Sequence, residues 1–400
     1  MTTTYRRLTT ALAVITMMVL MGSNAQADAQ SDWLKKAQLG PQAPATQDWK
    51  AIEAAARQEG EVVIYSVSSR IFKLQKVFKE KFGVDIVAYD IASDIQLEKF
   101  RREHKAGVFQ VDVLFNNETP LIVNEFLPRN LVWNFVPSSV ADQLDDNEKE
   151  PLLVQRWSSR ILFYNASKHL NGAPIDNLWD LTREEFKGRV LMPNPLESSV
   201  QANVIQTILQ HPDEMAAAYK AEFGDDIVYS KKLLKAVKKN PLIDEPDAAK
   251  EWLARLLAND PIFLASTTKI FNNVSDVQQD NPPLGFTTFS KMRKNKKDEF
   301  NGQPALNVRP VLGVSYPTVL VIANQAPHPN AAKLLIRYMM EDGFSPWNVP
   351  GDYAGRADVA KQQVADFGLP PFEDVKLWPI DQTYVYDTKY SYLSLYLSLK

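Results

Sequence analysis

The chain has 400 residues, 45% of them apolar and 23% charged, with a formal net charge of -3. That length supports two lobes with separate cores, and the absence of a basic excess argues against nucleic acid as a partner. No cysteine is present, so the fold uses no disulfide and the chain has no N-terminal lipidated cysteine.

Arg6 and Arg7 precede the apolar run Ala11–Met21, and Ala25-Gln26-Ala27 follows as a small-x-small site. This pattern predicts a cleaved export signal over residues 1–27 and a periplasmic protein that is not membrane-anchored. A polar leader spans 28–47. The spacing of Trp49, Ile52, Ala55 and Ala56 then predicts a helix over Asp48–Gln58.

Glu61–Arg70 reads as a buried strand ending in the small polar turn Ser66-Val67-Ser68-Ser69-Arg70, followed at once by a helix with Ser68 or Ser69 as N-cap. Such a turn offers free backbone N–H groups to an anion, and Arg70 strengthens it; the alternative is an ordinary capped turn with Arg70 in a salt bridge. Strand Val84–Tyr89, helix Asp94–Ala106 and strand Val111–Phe115 come next, the last running into Asn116-Asn117-Glu118. Alternating strands and helices predict an α/β fold with mostly parallel sheets, whose ligands gather beyond the C-terminal strand ends.

Asp142–Glu150 reads as a solvated acidic loop. Ser158-Ser159-Arg160 leads into a strand over Ile161–Tyr164. Asn177–Phe186 has helical spacing, Gly188–Met192 reads as a strand, and Ser198 or Ser199 caps a helix beginning near Val200. Helices are predicted over Met215–Gly224, Lys231–Lys239 and Ala248–Asn259, and strands over Pro261–Leu264 and Leu284–Phe289. The basic run Lys291–Lys297 reads as a solvated loop or face, with a binding role as the alternative. Pro310–Ala323 predicts a strand pair broken at Ser315-Tyr316-Pro317, and Pro329–Met340 an amphipathic helix. The tyrosines of the tail Tyr384–Lys400 are expected in the core.

The segments EGEVVIYS with its SSR, DVLF, SSRILFYN, FKGRVLMPNP, SSVQA and HPNAAKLLIRYMM, in that order, resemble periplasmic solute-binding proteins of ABC importers (extracellular solute-binding family 1), near the ferric-binding branch. The resemblance implies a two-lobed type II periplasmic-binding-protein fold, each lobe a mostly parallel sheet flanked by helices, joined by hinge strands. It implies a first lobe of 48–158 with 305–343 and a second of 159–304 with 344–400. Family ligand turns map onto Ser68, Ser69 and Arg70, onto Asn116, Asn117 and Glu118, onto Ser158, Ser159 and Arg160, and onto Ser198, Ser199 and Gln201. Tyr316 joins them as a candidate. Ferric-binding members often carry His-Tyr after SSR and a later Tyr-Tyr pair; this chain has Ile71-Phe72 and Thr287-Thr288-Phe289. Ferric ion usually takes phenolate or carboxylate oxygens, which Ile and Phe cannot supply and no tyrosine provides at these positions, so no metal site is expected.

The expectation is therefore a monomeric binding protein, not an enzyme, with no cofactor. It would pass a small carboxylate or a phosphate or phosphonate ester to ABC permease subunits. A ferric-binding protein, a ligand-binding sensor and a hydrolase are the alternatives. No HExxH, GxSxG or Gly-rich phosphate loop supports the last.

Overall fold

The computed structural model describes residues 30–400, so the expected export signal lies outside the described residues. Asp48 accepts hydrogen bonds from the backbone N–H groups of Lys50 and Ala51, each 3.1 Å long, and so starts the helix Trp49–Glu59. Gly60, at φ 80, ends that helix through an N–H bond to the Ala56 carbonyl and turns the chain into the first strand.

Twelve strands follow in chain order: β1 (Glu61–Ser66), β2 (Asp85–Asp90), β3 (Val113–Asn116), β4 (Val132–Asn134), β5 (Leu153–Asn165), β6 (Val190–Pro193), β7 (Ile262–Leu264), β8 (Leu284–Thr288), β9 (Gly302–Pro304), β10 (Gly313–Ala323), β11 (Tyr353–Ala354) and β12 (Leu377–Pro379). They form one curled mixed sheet with the central order β2-β1-β3-β10-β5-β8-β6-β7. At one end β1 pairs in parallel with β2 and β3; at the other, β6 pairs in parallel with β7 and β8. The long strands β5 and β10 run antiparallel to each other and join the two ends.

Two hydrophobic clusters flank this crossing. One gathers Val62, Ile64, Phe78, Phe115 and Leu335; the other gathers Trp179, Trp252, Phe271 and Phe286. Both tryptophans satisfy their indole N–H while buried, Trp179 on the Met215 carbonyl and Trp252 on the Leu178 carbonyl. Ala305, Val308, Val311, Leu312, Val314 and Tyr316 pack in the second cluster, whereas Phe344 and Trp347 pack in the first. In the final helix, Gln382–Leu399, Tyr392 and Tyr396 are buried and Tyr390 is exposed.

Three local expectations change. Ser158–Arg160 is the middle of the thirteen-residue strand β5 rather than a turn before it. The expected break at Ser315-Tyr316-Pro317 is absorbed into continuous β10, because Pro317 tolerates the extended backbone and the irregularity falls later, as a bulge between Thr318 and Val319. Residues Ser69–Lys73 form a 3-10 turn before the helix Gln75–Phe82, and neither Ser68 nor Ser69 caps that helix.

Where β10 crosses β5, the backbones meet closely: a Cβ on Gly313 would lie 2.1 Å from the Arg160 carbonyl oxygen. A backbone atom cannot step aside as a side-chain tip can. Gly313→Ala should therefore lower stability by about 1–3 kcal/mol, read as a reduced urea midpoint with an unchanged slope.

Candidate functional site

The carboxyl ends of β1, β2 and β6 border a cavity of about 670 Å³. Its walls come from both cores: Val67–Arg70 and Asn117 on one side, Ser198–Val200 and Leu264–Thr268 on the other. Three helices begin at this cavity, at Ser93, Ser199 and Thr267. Ser198 caps the second by accepting from the Gln201 N–H at 3.3 Å, and Ser266 caps the third by accepting from the Thr268 N–H at 3.2 Å. Their partial positive ends favour an anion between the lobes.

The floor is β5. Side chains along a strand alternate between faces, so Arg156, Ser158 and Arg160 all line the cavity. Lys291 and Arg293, on the 3-10 helix Phe289–Lys296, face them, and Arg70 completes a group of five cations. The basic run is thus partly a cavity wall, correcting the expectation of a solvated face. Among the described residues that line the cavity, only Asp352 opposes these charges from a buried position. Its carboxylate accepts from Arg70 at 3.3 Å and from the Ser158 hydroxyl at 2.8 Å, and lies 3.8 Å from Arg156 Nε, beyond hydrogen-bond length. Asp90, Asp94 and Glu197 also line the cavity but are exposed to water.

The cations are undersatisfied. The buried Nε atoms of Arg156 and Arg160 have no hydrogen-bond partner among the described residues. Arg160 donates to the Thr288 hydroxyl at 3.1 Å, and Lys291 donates to the Thr268 hydroxyl at 2.9 Å; neither forms an ion pair among the described residues. Burial pulls the Arg156 and Arg293 guanidinium groups down to about 10, so both stay protonated at neutral pH. Burial, reinforced by Arg293, Arg70 and Arg160, pulls the Lys291 ammonium from its ordinary 10.5 to about 8. Charging Lys291 therefore costs the folded protein below about pH 8, and that cost disappears above pH 10.5. A bound anion would restore the charged form. Anion binding at pH 8.5 should take up protons from the buffer, and at pH 6 it should not, as read by calorimetry in buffers of different ionisation enthalpy.

Of the residues singled out from sequence, Ser68, Ser69, Arg70, Asn117, Ser158, Arg160, Ser198, Ser199 and Tyr316 line this cavity. The hydroxyl of Ser68 accepts from the Trp347 indole at 3.1 Å. Asn116, Glu118, Ser159 and Gln201 do not line it. Asn116 is buried, donates to Gln96 Oε1 at 2.8 Å and accepts from the Glu118 N–H at 2.7 Å. Glu118 is buried where the lobes meet and accepts from Asn203 at 2.9 Å; burial raises its pKa against the hydrogen bonds from Ser199 and Asn203. Ser159 falls on the opposite face of β5, and Gln201 is buried in its helix. Arg156, Lys291, Arg293 and Asp352 are additions from the structure. Arg156 sits two residues before Ser158, and that spacing was a usable signal.

No family model matches the sequence, and no curated protein matches it. Solved structures do. Iron-bound HitA from Pseudomonas aeruginosa aligns over 85% of this chain and 99% of its own, at 15% identity and a TM-score of 0.63. The fold is that of the type II periplasmic binding proteins. The substrate-binding protein of an ABC transporter from Agrobacterium tumefaciens aligns over 85% of this chain and 94% of its own, at 13% identity and a TM-score of 0.60. AgtB from the same species, in complex with agropinic acid, aligns over 84% and 99%, at 14% identity and a TM-score of 0.58. In a type II binding-protein fold, two lobes joined by hinge strands close on a ligand in the cleft between them. No described helix is long and apolar enough to cross a membrane.

Proposed function

We propose that this protein is the substrate-binding component of an ABC importer, capturing a small anionic solute in the interlobe cleft and delivering it to the membrane permease. A carboxylate or a phosphate or phosphonate ester fits this reading. The observation that carries it is the cleft lining: five cations around one buried carboxylate, two of the cations with unpartnered guanidinium nitrogens among the described residues. Buried donors without partners cost free energy that an anionic ligand would return. The lobes would divide where β5 and β10 cross between the clusters, near Trp157 and Pro317. The protein would act as an exported, periplasmic monomer that binds without chemistry.

A ferric reading has less support, although HitA is an iron-bound relative in fold. A ferric ion needs several anionic oxygens. Among the described residues Tyr316 is the only tyrosine lining the cleft, and the cleft's buried carboxylate, Asp352, is already engaged by Arg70 and Ser158. Thermal-shift screening of the purified protein tests the proposal. Organic acids or phosphate esters should raise the melting temperature, by about 2.7 kcal/mol of added stability at a ligand concentration one hundred times Kd. Ferric salts should give neither a shift nor a visible charge-transfer band. A ferric response with silence from every anion would refute the reading.

A further inference from the structure

We infer that the solute's anionic head is a dianion of the phosphate-monoester or phosphonate type rather than a monocarboxylate. This rests on the anion-capture reading and narrows it. Arg156 and Arg160 are buried in the cleft, Arg70, Lys291 and Arg293 are half-buried around them, and among the described residues lining it Asp352 is the one buried counter-charge. Asp352 engages Arg70 directly and sits near Arg156, which leaves Arg160, Lys291 and Arg293 without an ion pair among the described residues. The acids that also line the cleft, Asp90, Asp94 and Glu197, are exposed, and solvent screens them. A single carboxylate has two oxygens and one charge, so it would leave most of this group uncompensated in a place where unpaired charge is costly.

A tetrahedral dianion matches the donor set in number and direction. The unpartnered Nε atoms of Arg156 and Arg160 lie on one face of β5, two alternations apart. The starts of the helices Ser199–Leu209 and Thr267–Ser275 border the cavity they line, each carrying backbone N–H donors. Three or more acceptor oxygens pointing in different directions can meet guanidinium groups below and helix ends at the sides. A planar carboxylate directs both oxygens one way. The ester substituent would extend toward the exposed part of the cleft.

Isothermal titration calorimetry of the purified protein separates the possibilities with four probes: ethyl phosphate, dimethyl phosphate, propionate and inorganic sulfate. Ethyl phosphate gains its second charge near pH 6, so its affinity should rise about tenfold from pH 5 to pH 7.5. Sulfate is a dianion throughout that range, so its affinity should stay within about twofold, which controls for titration of the protein. At pH 7.5 ethyl phosphate should bind at least about tenfold tighter than propionate or the singly charged dimethyl phosphate, and Arg160→Met should abolish that preference. Propionate or dimethyl phosphate binding as tightly as ethyl phosphate would overturn the dianion inference while leaving anion capture standing. So would an ethyl phosphate affinity that does not change with pH. Binding by none of the four probes would overturn both.

Discussion

Arg160→Met should move two observables in opposite directions. Affinity for the captured anion should fall by about 30-fold or more, since removing one partner of a buried, hydrogen-bonded charge contact costs about 2–5 kcal/mol. The unliganded protein should meanwhile become more stable, by about 1–4 kcal/mol, because an apolar side chain of similar length replaces a buried charge that has no ion-pair partner among the described residues. Titration calorimetry reads the first effect, and denaturant unfolding without ligand reads the second. A structural arginine would show the reverse, with lost stability and unchanged affinity. The sign of the stability change therefore decides whether Arg160 is held ready for a ligand or serves to hold the strands together.

Asp352→Asn should have the converse effect. Asp352 is 3% exposed, accepts from Arg70 and Ser158, and sits beside Arg156. Neutralising it leaves two guanidinium groups without their one buried counter-charge among the described residues. Breaking such a pair from one side costs about 3–5 kcal/mol. The unliganded variant should melt well below the wild type. Added sulfate should recover most of that loss, because a diffusible dianion can occupy the same electrostatic position. The wild-type protein should gain less from the same sulfate. If sulfate fails to rescue the variant, Asp352 is a packing residue and the cleft does not accept anions.

The order of strands and helices was legible because burial imposes its period on the chain. Val62, Ile64 and Tyr65 in β1, and the apolar stripe of Pro329–Met340, announce their elements without help from distant residues. The site was less legible. Ser158, Ser159 and Arg160 form one polar cluster along the sequence, whereas strand alternation sends Ser159 to the opposite face and brings Arg156 to the cleft. In a turn the three side chains could share one surface; in a strand the same letters give the stripe Arg156, Ser158, Arg160. The hydroxyl of Ser68 looked like a helix cap because its spacing is right, but it accepts from Trp347, which lies 279 residues away in the chain. Lys291 and Arg293 looked like solvated charge because a basic run carries no mark of which residues face inward. Asp352 could not be found at all from local pattern. Its meaning is its position between Arg70 and Arg156, which only the tertiary fold creates.

Anomalous diffraction from crystals soaked in selenate, a dense tetrahedral dianion, tests the central claim most directly. A peak within hydrogen-bond distance of the Arg156 or Arg160 guanidinium, between the starts of the Ser199 and Thr267 helices, is the expected result. Selenate peaks confined to the outer surface at saturating concentration, with the cleft bare, would contradict it.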